Sequence, residues 1–327
     1  MNLYKTTNLE ISTAINIDLQ GDTKIANISK NIILDNKTNE DELIFDNISI
    51  SFKKAKSFLN KAINGELIEE KNYTLSNNPL INAVIPVFNG EKSISRVIKS
   101  IQNQNIDNIE IVIVNDCSKD KTLSILQKIQ KKDPRIIILN NTKNMGTLYS
   151  RSIGTLSAKG KYIFPLDCDD LFLDYNIFET IYNIAEKGNF DIVEFKAIFC
   201  IYSSKNILER KIKENYFSSH KLNLVLFQPE LGDYFLKKGN QLGIYSIIDV
   251  YLWAKCIKTK IYQKALNLLG EQKYSRFMTL NEDLVGITIL FNIAESFKFV
   301  GKYGILHVST PGSVSWKGPG KKKNEFI

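Results

Sequence analysis

The sequence predicts an α/β protein built on a mainly parallel sheet flanked by helices. Three observations carry this. From Leu80 onward, short apolar runs alternate with amphipathic stretches. Successive apolar runs are separated by roughly a dozen residues or more, which calls for crossover connections rather than hairpins. The residues just beyond each apolar run are polar or acidic, and in a parallel sheet that edge is where ligands bind.

Taken in order, residues 1–79 read as an accessory segment and linker. They are rich in Asn, Asp, Lys and Ile, with an alternating piece DELIFDNISISF (41–52), a helix-like KKAKSFLNKAINGEL (53–67) and a polar EEKNYTLSNNP (69–79). LINAVIPVF is the first buried strand. EKSISRVIKSIQNQ then sets Ile94, Val97, Ile98 and Ile101 on one helical face. IEIVIVND is the second strand, and KDKTLSILQKIQKKD a helix with Leu123, Leu126 and Ile129 along one side. PRIIILNN is the third strand, GTLYSRSIGTLSAKG the third helix, and KYIFPLD the fourth strand. Pro165 has no N–H for a central ladder, so regular pairing is expected to stop near Phe164. Residues 80–200 thus form one half and 201–327 a second half with a tail.

Bulk properties narrow the classes. The net charge is +8 over 327 residues, with 43% hydrophobic and 24% charged residues. This suits a soluble globular protein and permits peripheral contact with an acidic membrane surface. Lysines are scattered, with one tight run at Lys321, Lys322 and Lys323, so no nucleic-acid surface is expected. Cys117, Cys168, Cys200 and Cys256 form no CxxC pair, and with only His220 and His307 no zinc site of familiar spacing arises. The start lacks a signal-peptide pattern, and no apolar run nears the roughly 20 residues of a spanning helix. A cytoplasmic protein, or one peripheral on a membrane, is expected. No GxxxxGK[ST] occurs, which excludes a P-loop nucleotidase.

The strand ends then deliver candidate site residues to one edge. Pro86, Phe88, Asn89 and Glu91 follow the first strand, and Asn115, Asp116, Ser118 and Asp120 the second. Asn140, Asn144 and Gly146 follow the third, and Asp167, Asp169 and Asp170 the fourth. Asp167 and Asp169 point the same way in extended chain, with Cys168 opposite. Two carboxylates about 4 Å apart repel by roughly 4 kcal/mol at an effective dielectric of about 20. One protonates, or a cation sits between them. Hard oxygen donors select Mg²⁺ or Mn²⁺, and so few carboxylates suit a metal that also holds substrate phosphates. Asp170 reads as a supporting residue or a cap for the helix expected from about Tyr175.

VIPVFNGE, VIVNDCSKDKT, KNMGTLYSRSIG and GKYIFPLDCDDLF, in that order, resemble the nucleotide-sugar half of a family 2 glycosyltransferase of the GT-A fold. The resemblance is close over about 80–199 and looser over about 252–315. It implies that Pro86, Phe88, Asn89 and Glu91 hold the nucleotide, with Phe88 where the family usually has Tyr. Asp116 would accept an N–H from uracil or guanine, a charge-assisted bond, although it would equally satisfy an Asx turn. Asn144, Gly146 and Arg151 match the region of the family's ARNxG motif, here YSRSIG, with Arg151 facing phosphate or the acidic cluster. Asp169 is implied as the direct metal ligand and Asp167 as a ligand of ribose or metal-bound water.

The second half resembles the acceptor side. TLNEDLVGITILF places Asp283 as the implied base that deprotonates the acceptor, while an acidic pair at a helix start is favourable in any protein. In YLWAKCIKTKIY, Trp253 either stacks on a sugar or lies in the core. YGILHVSTPGSVSW offers His307 as a further metal ligand and the Gly312–Ser313 turn as a phosphate contact. The resemblance implies an inverting transferase using a UDP- or GDP-sugar, a divalent metal, and a glycan, lipid or protein acceptor. The alternative is a relative of the same fold that binds a nucleotide sugar or glycan without turnover.

Overall fold

The computed structural model describes residues 72–202, 251–275 and 282–309, the stretches 33–34, 207–209 and 224–227, and the single positions 57, 61 and 277. The piece at 41–52, the Gly312–Ser313 turn and the lysine run at 321–323 lie outside these. Of the helix expected over 53–67, Ser57 and Lys61 are described, both helical.

The parallel block comes first. It contains β2 (Ile81–Val87), α1 (Ile94–Gln102), β3 (Ile109–Asn115), α2 (Thr122–Gln130), β4 (Ile136–Asn140), α3 (Thr147–Ser157) and β5 (Tyr162–Pro165). The strands lie in the order β5-β2-β3-β4, all parallel. Every residue of β2 and β3 is buried, the reason these strands read as continuous apolar runs. Pairing of β2 with β5 stops at Val84 opposite Pro165, so the strand ends where its proline predicts. Pro86 lies inside β2, opposite Val114 and past the end of the β5 ladder, rather than on the loop beyond.

The remaining elements add a mixed half. They are β6 (Leu171–Phe172), α4 (Ile177–Gly188), β7 (Ile192–Tyr202), β8 (Ile207–Glu209), β9 (Leu224–Phe227), β10 (Lys255–Lys258), α5 (Thr259–Leu269), α6 (Glu271–Tyr274), α7 (Glu282–Ile293) and β11 (Ser296–Ser309), with β1 at Ile33–Leu34. The full order is β1-β9-β11-β7-β10-β5-β2-β3-β4. Antiparallel β10 joins the halves by pairing with both β5 and β7, so one sheet runs through both.

Helices cover both faces. Ile94, Val97, Ile98 and Ile101 of α1 bury against one face together with Phe164, Phe178 and Phe195. Leu252, Ile287, Leu290 and Phe291 pack on the other with Val84 and Val112. Gly154 sets the approach of α3: a Cβ there would lie 2.8 Å from Val84 Cγ1 and 3.0 Å from Val114 Cγ2. The helix therefore lies flat on β2 and β3, which brings Arg151 to the sheet edge. No described helix is long and apolar enough to cross a membrane.

Candidate active site

The first two loops are laced together. Asn89, in the left-handed region at φ 51°, donates its N–H to Ser118 Oγ (2.9 Å) and accepts from Lys119 N (2.8 Å). Glu91 donates its N–H to Asp120 Oδ2 (3.0 Å), and its carboxylate accepts from Lys121 N (3.1 Å) at the start of α2. Asn89 and Glu91 thus shape the edge, while Phe88 projects from it, 45% exposed.

Asp116 organises the third loop. Its oxygens accept N–H groups from Met145 (2.8 Å), Gly146 (2.8 Å) and the Asn141 amide (2.7 Å). Gly146, at φ 87° and ψ 167°, occupies backbone space that side chains rarely adopt. Asn144 Oδ1 also accepts from Gly146 N (3.1 Å). The first turn of α3 is thereby fixed around a buried carboxylate, which its positive dipole end favours.

Arg151 is the centre of the site. From α3 it donates Nη2 to Asp167 (2.6 Å) and Nη1 to Asp283 (2.5 Å). It contacts the acidic cluster, one of the two partners open to it from the sequence. The guanidinium is buried, and burial opposes its charge, yet Asp283 and Asp167 hold it firmly protonated. Asp283, 132 positions beyond Arg151 and in the other half of the chain, thus meets Asp167 on one side chain. Burial raises the Asp283 carboxyl to about 6, against the pull of Arg151. The nearby backbone of Leu252 adds to that pull.

The aspartate loop is tied down behind. β6 pairs antiparallel with Ile305 and Leu306 of β11, and this lays Asp170 against the next residues of that strand. Asp170 is fully buried, 3.0 Å from His307 Nδ1, and accepts the N–H of Val308 at 3.0 Å. It does not cap a helix: α4 starts later, after Asn176. Burial pulls the His307 imidazole down, but Asp170 at hydrogen-bond distance outweighs this and lifts it to about 9. Asp169 bonds to neither, and burial with Asp170 and Asp167 nearby pushes its carboxyl up to about 7. Among the described residues no group of three or more His, Cys, Asp or Glu is arranged to hold a metal ion. A cation here would rest on Asp167 and Asp169 and complete its shell from a ligand.

Several pairings at the edge have no simple signal in the sequence. Tyr251, Trp253 and His307 form a near-parallel column, with ring centroids 4.6 and 5.0 Å apart. Lys255 and Glu194 make a fully buried ion pair at 2.9 Å. Both are register neighbours across β10 and β7, which chain-local spacing does not reveal. Tyr262 is buried beside Arg151 and Asp283, and burial pushes its hydroxyl up.

Fold and edge together are of the GT-A type. The comparisons with known proteins agree: residues 83–237 match the glycosyl transferase family 2 model, and the chain carries a domain of that family. A glycosyltransferase of Haemophilus influenzae is 26% identical over 229 residues, 70% of this chain and 82% of the relative. A processive diacylglycerol beta-glycosyltransferase of Mycoplasma pneumoniae is 28% identical over 256 residues, 76% of this chain and 70% of its own length. A second Haemophilus glycosyltransferase reaches 41% identity, but only over 30% of each chain. Among solved structures, residues 1–349 of TarS from S. aureus share the fold with a TM-score of 0.52 at 18% identity, over 70% of this chain and 60% of that one.

Proposed function

We propose that this chain is an inverting glycosyltransferase that moves a sugar from a UDP- or GDP-linked donor to an acceptor hydroxyl, with Mn²⁺ or Mg²⁺. The observation that carries the reading is the Asp167–Arg151–Asp283 bridge, which holds a donor-side carboxylate and an acceptor-side carboxylate on one guanidinium. Asp283 is the base. A carboxyl at about 6 is ionised at neutral pH and still basic enough to take a proton from an attacking hydroxyl. Arg151 fixes its direction and keeps it charged.

On the donor side, exposed Phe88 lies flat beside the base, and Asp116 shares an oxygen with a base N–H. Asp169 and Asp167 suit a divalent cation, because a cation would offset both the burial and the neighbouring carboxylates that raise Asp169. His307, with Nδ1 committed to Asp170, would offer only Nε2 to such an ion, and only after losing the proton that Asp170 holds on the ring. When bound, the ion supplies Lewis-acid stabilisation of the leaving diphosphate. Two relationships favour this donor and a lipid or glycan acceptor. TarS has been solved with UDP and with UDP-GlcNAc, and similar chains are named for diacylglycerol and cholesterol. The basic surface would allow peripheral membrane contact.

The test is sugar transfer or nucleotide-sugar hydrolysis, with and without Mn²⁺, by the wild type and Asp169→Ala. Metal-dependent turnover is expected to vanish in the variant. Turnover that survives unchanged contradicts the assignment.

A further inference from the structure

We infer that the buried Lys255–Glu194 pair is a positioning device for Asp283: it sets the turn over residues 251–254, against which the start of α7 is packed. This rests on the glycosyltransferase reading above, in which Asp283 is the base.

The pair is an expensive way to join two strands. Lys255 is 0% and Glu194 1% exposed, with Nζ and Oε2 2.9 Å apart across the β10–β7 register. Desolvating both charges takes back most of what their attraction gives, so such a pair adds little stability. Two apolar side chains would fill the same space without that cost. They could not do what the ammonium does next, which is to donate to the carbonyl of Tyr251 at 2.6 Å and so close the turn. The neighbouring residue of β7 holds its other end: Phe195 donates its N–H to the carbonyl of Ala254 at 3.0 Å. Within the turn Ala254 sits at φ 59°, a strained conformation for a residue with a Cβ. Such strain persists where the surroundings over-determine it, and here β7 grips the turn at both ends.

The turn in turn supports α7. Leu252 is fully buried in one cluster with Ile287, Leu290 and Phe291 of that helix. A Cβ at Gly286 would lie 3.1 Å from Leu252 Cδ1, so helix and turn meet closely at that glycine. Gly286 is three residues beyond Asp283, on the same side of the helix and within its first turns. The backbone of Leu252 is also near enough to Asp283 to favour its ionised form. Asp283 therefore has two supports: Arg151 on its carboxylate and the turn against its helix. A base displaced by about 1 Å can lose about a hundredfold in rate. Lys255 and Glu194, buried as they are, act on the reaction only by holding that turn.

The test removes both charges at once, in Lys255→Met/Glu194→Leu, because a single substitution would strand one buried charge. Hydrolysis of UDP-glucose, UDP-galactose, UDP-N-acetylglucosamine and GDP-mannose with Mn²⁺ is measured for wild type, this variant, Asp283→Asn and the triple variant. The Lys255/Glu194 variant should melt no more than about 5 °C below wild type and bind UDP within about twofold. Its kcat should fall by about ten- to a hundredfold with donor KM unchanged. In the Asp283→Asn background the same two substitutions should lower kcat by less than about twofold, since no base is left to place. A kcat within about twofold of wild type overturns the proposal. So does a loss as large in the Asp283→Asn background as in wild type, and so does a larger drop in melting temperature, which would make the pair a stabiliser instead. In all three cases the glycosyltransferase reading survives. A wild type that turns over none of the four donors removes that reading, and this inference with it.

Discussion

The two halves of the sheet bring side chains to one edge by different means. In the block β5-β2-β3-β4, each strand end is placed by a repeated strand–helix unit, and the loops are tied to one another by short-range bonds such as Asn89 to Ser118 and Asp116 to Gly146. In the block β10-β7-β11, residues arrive singly: Asp283 from a helix start, His307 from a long strand, Tyr251 from a strained turn held by the buried Lys255–Glu194 pair. On the reading proposed above, the donor side is a consequence of the architecture, while the acceptor side is assembled by tertiary pairing. Arg151 is where the two meet.

Removing Arg151 should have the largest effect, because it serves both halves. Arg151→Met leaves Asp167 and Asp283 without their shared cation, and breaking such a buried pair costs about 3–5 kcal/mol. Thermal melts should show that loss, and turnover should fall by about a thousandfold or more through the misplaced base. Arg151→Lys should recover little, as one ammonium does not reproduce two guanidinium contacts.

Asp283→Asn tests the acceptor half alone. Turnover should drop by about 10²–10⁴-fold, with UDP binding by calorimetry retained. The wild-type pH profile belongs to the same test. The Asp283 carboxyl, raised by burial to about 6, must be ionised to accept a proton. kcat/KM should therefore climb by about tenfold per pH unit below 6 and level off above it. In Asp283→Asn that limb should be absent.

Asp116→Ala tests the donor half. It frees the N–H groups of Met145 and Gly146 and should cost about 1–3 kcal/mol in thermal stability, while weakening UDP more than any acceptor. The smallest effect is expected at Phe88, where Leu removes a flat exposed ring and should weaken UDP by only a few-fold, about 0.5–1 kcal/mol.

The contrast between the halves also explains what the sequence could show. Four strands, their helices and the aspartate loop follow from local periodicity and from Pro165. Asp167, Asp169, Arg151 and Asp283 carry chemistry in their residue types, so they could be named beforehand, and three of the four prove to share contacts. The partnership of Asp170 with His307 spans 137 positions and depends on β6 lying on β11, which no spacing rule reports. Trp253 illustrates the same limit: the sequence leaves it between sugar platform and core, and only its burial between the rings of Tyr251 and His307 places it in the core. Pro86 lies within a central strand because its neighbour β5 has already ended, again a matter of register.

The central claim is that Arg151 couples the donor-side and acceptor-side carboxylates into one unit. A double-mutant cycle tests it most directly, with kcat/KM measured for wild type, Arg151→Met, Asp283→Asn and the double variant. If the coupling holds, the double variant should be about as impaired as Arg151→Met alone, because losing Asp283 takes nothing further from a base that is no longer placed. If the two losses multiply instead, Arg151 and Asp283 work independently, and the bridge is a packing contact without a part in the reaction.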